Sequence, residues 1–197
     1  YNLAKMERLF QFSASRIQAV DVSFKGYMHK KINWNNRLIG ITGARGVGKT
    51  TLLLQYIREN LAEFPDEVIY VNMDDLYFSR NTIVDFAGEF VKRGGKYLFI
   101  DEVHKYRNWS QEIKNSYDYF PDLKIVFTGS SALDIHKGEA DLSRRAIVYT
   151  MQGMSFREFI ELKYGHQFPE IQLEDMLSKA PVFISPILDK KIGRAHV

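Results

Sequence analysis

Residues 43–50 read Gly-Ala-Arg-Gly-Val-Gly-Lys-Thr, a complete G-x-x-x-x-G-K-[ST] pattern. It follows the apolar run Leu38-Ile39-Gly40-Ile41 and precedes Leu52-Leu53-Leu54. A strand, a glycine-rich turn and a helix in that order make a phosphate-binding loop, which implies a binder of nucleoside triphosphates. The chemistry needs backbone N–H groups that all turn inward around a polyphosphate. Gly43, Gly46 and Gly48 permit backbone angles that a Cβ would forbid. The nucleotide-binding candidates are therefore Gly43, Ala44, Arg45, Gly46, Val47, Gly48, Lys49, Thr50 and Thr51. Lys49 is expected to reach the β and γ phosphates and Thr50 to offer its hydroxyl to Mg2+, with the helix N-terminus adding partial positive charge.

A second signal must agree if the first is real. Residues 96–104, KYLFIDEVH, form a buried-strand pattern that ends in two acids, Asp101 and Glu102. A parallel strand buried on both faces has no packing use for carboxylates at its carboxyl end, which is where ligands sit in open α/β sheets. Asp101 is expected to hold the Mg2+ shell opposite Thr50. Glu102, pointing differently, is expected to orient and polarise the attacking water.

With 197 residues, 45% of them hydrophobic, the chain can bury one full core, so one domain is the expectation. A net charge of +3, from 27 basic against 24 acidic residues, gives no strong argument for nucleic acid or an anionic membrane. The absence of cysteine excludes disulfides, thiolate metal sites and cysteine catalysis, and fits a reducing cytoplasm. No apolar run approaches the roughly 18 residues of a spanning helix. A cytoplasmic protein is the expectation. Residues 192–197, IGRAHV, resemble the translation of a sequencing adapter and are assigned no function; the natural chain is expected to continue beyond about residue 190.

The chain divides into a helical lead-in at 1–32, a core at 33–164 and the start of a C-terminal region at 165–191. Strands are expected over 38–42, 67–72, 97–101, 124–128 and 146–151, with helices over 3–20, 49–63, 82–92 and 109–120. This βα alternation predicts an α/β three-layer sandwich, a parallel five-stranded sheet with helices on both faces. Trp109, Ile113, Tyr117 and Phe120 recur at helical spacing and read as core. Thr128 and Ser130, at the end of the fourth strand, are both candidates to sense the γ phosphate or position the water. Ser130 or Ser131 could equally cap a short helix through 132–135. Arg144 and Arg145, in DLSRR before the fifth strand, are candidates to stabilise phosphoryl charge in their own subunit or in a neighbour's, and could also be simply solvated. His104 reads as a structural histidine. Ser155-x-x-Glu158 is a capping box opening a helix, and a further helix is expected near 173–177, before the segment PVFISP.

Taken in order, GARGVGKTTLL, YLFIDEVHKYRNWSQEIKNSYD, KIVFTGSSALDI and DLSRRAIVYTMQGMSFREF resemble the bacterial and archaeal AAA-type P-loop ATPase family, over about residues 33–162. Its members usually carry a C-terminal nuclease-like domain after the ATPase core, and this chain does not include one. The resemblance implies ATP rather than GTP, and Lys49 and Thr50 in the nucleotide and Mg2+ roles. It places Asp101 and Glu102 as the acid pair and the TGSS segment as sensor. The sheet order is expected to be 5-1-4-3-2. The leading expectation is Mg2+-dependent ATP hydrolysis coupled to conformational change. A slow-hydrolysing nucleotide-gated interaction module and a small-molecule kinase stand as alternatives, with nucleic acid, oligomeric state and the arginine finger open.

Overall fold

The apolar runs of the sequence become strands because aliphatic side chains on both sides of a β-strand can be buried only in a sheet covered on both faces. In the computed structural model these strands are β1 (Leu38–Gly43), β2 (Val68–Asn72), β3 (Tyr97–Asp101), β4 (Lys124–Ser130) and β5 (Ile147–Thr150). The structure describes residues 2–130, 142 and 144–165, with side chains from Met6 onward. All four strand pairings are parallel, and the order is β2-β3-β4-β1-β5, the expected order read from the other edge. Strand β4 runs two residues past its expected end, to Ser130.

Alternation along each strand sorts its residues into two cores. On one face Leu38, Ile69, Ile100 and Phe127 meet Phe86 and Phe90 of α4 (Ile83–Lys92) and Trp109 and Ile113 of α5 (Trp109–Tyr119). Tyr117 and Phe120 lie partly buried against this core, as their spacing predicts. On the other face Ile39, Ile41, Tyr70, Phe99 and Val126 meet Leu52, Leu53 and Ile57 of α3 (Lys49–Asn60) and Met28 and Ile32 at α2 (Met28–Lys31). The result is the three-layer α/β sandwich.

Helix α1 (Asn2–Ala19) deals with an edge. β2 ends the sheet, and an outward N–H there would lack a partner. Ser13 Oγ accepts the Tyr70 N–H at 2.9 Å, while Met6 and Leu9 enter the first core and Ile17 packs on the second.

Two carboxylates tie distant segments together. Glu112 on α5 accepts the Ile83 N–H at 2.5 Å and the Val84 N–H at 3.4 Å, capping α4, and its other oxygen accepts the Tyr106 hydroxyl at 2.7 Å. Glu158, in the first turn of α6 (Phe156–Tyr164), accepts the Tyr27 N–H at 2.8 Å with one oxygen and the Ser155 N–H and hydroxyl, each at 2.8 Å, with the other. Burial would raise the Glu158 pKa, but these donors outweigh it and hold the carboxyl below its ordinary value. The expected capping box is completed by the Glu158 N–H on Ser155 Oγ.

Residues 1–158 form one compact unit, and residues 159–197 belong to another. No helix among the described residues is long and apolar enough to cross a membrane. The expected helices through 132–135 and 173–177, the PVFISP segment and residues 192–197 lie outside the described residues.

Candidate nucleotide site

The loop from Gly43 to Gly48 leaves the carboxyl end of a central strand and enters α3 at Lys49. Two of its glycines are obligatory for different reasons. Gly48 has φ 99°, a left-handed conformation that turns the chain into the helix. A Cβ on Gly43 would stand 2.4 Å from the Met151 carbonyl oxygen, a backbone atom fixed by the Met151 N–H donated to Thr42 O at 2.7 Å. Lys49 is buried, and its ammonium donates to the carbonyls of Gly43 at 2.9 Å and Ala44 at 2.8 Å, so the side chain folds back across the mouth of the loop. The N–H groups of the first turn of α3 have no intrahelical acceptors and face the same end.

Asp101 is the hub. It is 1% exposed at the end of β3, and its carboxylate receives three hydroxyls from three other elements. Thr50 of α3 donates to Oδ2 at 2.6 Å, Tyr70 of β2 donates to the same oxygen at 2.8 Å, and Thr128 of β4 donates to Oδ1. Burial first, and the Asp101 charge second, pushes the Tyr70 phenol far above the ordinary tyrosine range, so it stays a donor. Thr128 is fully buried and also accepts the Glu102 N–H at 3.1 Å. Its hydroxyl is therefore engaged by the Asp101 carboxylate and the Glu102 backbone. Ser130, two residues on, is half-buried and level with Gly43 in the β1–β4 register, which places it at the edge of the loop.

Glu102 breaks from the strand. Its φ of 58° and ψ of 41° are left-handed, and it is the one non-glycine residue with positive φ among the described residues. A side chain held there costs on the order of 1 kcal/mol or more. Its Oε2 lies 3.6 Å from His104 Nε2, an ion-pair distance too long for a hydrogen bond.

Arg144 and Arg145 are placed elsewhere. They precede β5 at its amino end, whereas the loop lies at the carboxyl ends of the strands. The four residues of β5, about 13 Å of extended chain, lie between the arginines and Met151. Arg145 is engaged by Asp118 on α5 through Nε at 3.0 Å and Nη2 at 3.2 Å, and Arg144 is exposed. Of the three alternatives for this pair, its own subunit, a neighbour's or simple solvation, this placement does not favour action in its own subunit.

Tyr70 was not visible as a site residue in sequence, where VIYVN reads as one more buried strand. The signal was its phenol, because a tyrosine in a strand buried on both faces must find a partner for its hydroxyl.

A family model described as the AAA domain matches residues 35–160. The chain belongs to that family. It is thereby an ATP-binding AAA-type module. A protein of Methanocaldococcus jannaschii, itself described as uncharacterized, is 34% identical over an alignment of 157 residues that covers 74% of this chain and 33% of the relative. The chain thus spans about a third of the length of this curated relative. Among solved structures, AMPPCP-bound DnaA from Aquifex aeolicus matches with TM-score 0.51 at 18% identity, covering 84% of this chain and 59% of that one. Domain III of the replication initiation protein DnaA from Thermotoga maritima gives TM-score 0.47 at 16% identity, with 85% and 82% covered. At these identities the likeness concerns the fold.

Proposed function

We propose that this chain is an Mg2+-dependent ATPase core that turns ATP binding and hydrolysis into a conformational change. The observation that carries it is the 2.6 Å hydrogen bond between Thr50 and Asp101, which unites the phosphate loop with the acid strand across 51 positions of sequence. A hydroxyl and a carboxylate form the hard, all-oxygen donor set that suits Mg2+. Thr50 would contribute a direct oxygen and Asp101 the negative charge behind it. When bound, Mg2+ neutralises the β and γ phosphate charge.

The chain's own groups do the rest. The loop N–H groups bind the polyphosphate, and Lys49, with two of its three ammonium donors on loop carbonyls, presents the third to a phosphate oxygen. Glu102 accepts a proton from the water that attacks the terminal phosphate, and its left-handed backbone aims the carboxylate out of the strand. Ser130, at the rim of the loop, contacts that phosphate or the water, while Thr128 orients the two acids beneath. Arg144, exposed before the amino end of β5 and so at the other end of the strands from the loop, serves the nucleotide of another copy of the chain.

The proximity of His104 to Glu102 favours a second reading, a slow-hydrolysing nucleotide switch in which the base is partly engaged. Phosphate release over many turnovers, set against nucleotide occupancy on the same sample, separates the two. Release of many phosphates per bound nucleotide supports the ATPase; full occupancy with less than one release per hour supports the switch.

A further inference from the structure

We infer that Tyr70 is a positioning residue of this site, one that fixes the Asp101 carboxylate in the rotation that serves Thr50 and a bound Mg2+. The inference rests on the ATPase reading above. Asp101 ends β3, and its two neighbouring strands each supply one hydroxyl to it: Tyr70 reaches Oδ2 from β2, and Thr128 reaches Oδ1 from β4. A carboxylate gripped at both oxygens from both sides cannot swing about its Cβ–Cγ bond. Thr50 donates to Oδ2 as well, so the oxygen that Tyr70 holds is the one that faces the phosphate loop.

Space-filling alone does not account for the phenol. Tyr70 is 1% exposed within an apolar core beside Phe99, and phenylalanine would fill the same volume without burying a hydroxyl. The ring lies on the α3 side of the sheet, with Phe99 and Val126, so its hydroxyl can reach Asp101 two residues along the neighbouring strand. The Tyr70 N–H is satisfied separately, by Ser13 Oγ at the sheet edge, while the position of the ring along β3 follows from the β2–β3 pairing. Groups that orient a metal-site carboxylate typically matter 10–100-fold to metal affinity or activity.

The test is Tyr70→Phe, with binding of a fluorescent ATP analogue titrated against Mg2+ and repeated in EDTA. The inference predicts that affinity in EDTA stays within about twofold of wild type while the Mg2+ concentration for half-maximal enhancement rises about tenfold. Thr128→Val should shift Mg2+ dependence in the same direction. Ser13→Ala, which loosens the strand but leaves the phenol, should lower the unfolding temperature and leave Mg2+ dependence unchanged. A merely structural role would move binding equally with and without Mg2+ in Tyr70→Phe, and that result overturns the inference. An unaltered Mg2+ profile in Tyr70→Phe, beside a wild type that binds nucleotide, overturns the inference alone. A wild type that binds no nucleotide overturns the ATPase reading with it.

Discussion

Glu102 combines a left-handed backbone with the role proposed for it as proton acceptor. A left-handed backbone costs a non-glycine residue on the order of 1 kcal/mol or more, whereas glycine takes it freely at the expense of greater unfolded-state entropy. The N–H on Thr128 Oγ1 belongs to the backbone and survives any side-chain change. Glu102→Gly is therefore expected to raise stability by up to about 1 kcal/mol, a few degrees in unfolding temperature, while turnover falls by at least about 100-fold. Calorimetry and phosphate release on one preparation read both. A lowered unfolding temperature would show that the backbone there is not under strain.

At the scale of elements, carboxylates do the joining. Glu112 caps α4 from α5 and takes the Tyr106 hydroxyl, and none of these partners belongs to the phosphate loop. Glu112→Ala should cost about 1–2 kcal/mol and leave ATP affinity unchanged, as denaturant unfolding and equilibrium binding would show. A loss of nucleotide affinity would mean that α4 and α5 shape the site directly. Glu158 makes the corresponding tie between the lead-in at Tyr27 and the stretch after β5. Its folded pKa lies below the ordinary 4.5, so the stability it contributes is present above that value and disappears as pH falls through the folded pKa. The gap in unfolding temperature between wild type and Glu158→Gln should thus be widest near neutrality and shrink below about pH 4.5, whereas a gap that is constant with pH would rule out a role for the charge.

For the whole molecule, sequence revealed the sheet because strands buried on both faces write themselves as short apolar runs, and it revealed the site because carboxylates and glycines have no packing reason to interrupt them. Asp101, Glu102 and the loop glycines all read that way. What stayed hidden depends on pairing between distant positions. The hydroxyl of Tyr70 meets Asp101 across 31 positions, and Glu112 reaches Ile83 across 29 from a helix whose pattern shows only its apolar side. Helix α2, at four residues, is too short for any periodicity. The difference in place between Thr128, fully buried, and Ser130, level with Gly43, depends on β4 running on to Ser130, which no local pattern encodes.

The role proposed for Arg144 toward another copy of the chain is tested at the same scale. If Arg144 serves a neighbouring copy, Arg144→Ala and Glu102→Gln proteins should each be inactive alone and regain part of the wild-type rate when mixed. Each then supplies what the other lacks, and a mixture as inactive as its components would exclude the exchange.

The account stands most directly on the separate roles of the loop lysine and the second acid. Equilibrium ATP binding and phosphate release, measured side by side on wild type, Lys49→Ala and Glu102→Gln, test it. Glu102→Gln should bind Mg2+-ATP as tightly as wild type and release almost no phosphate, while Lys49→Ala should lose tight binding itself. Equal losses of binding and turnover in both variants would contradict the assignment.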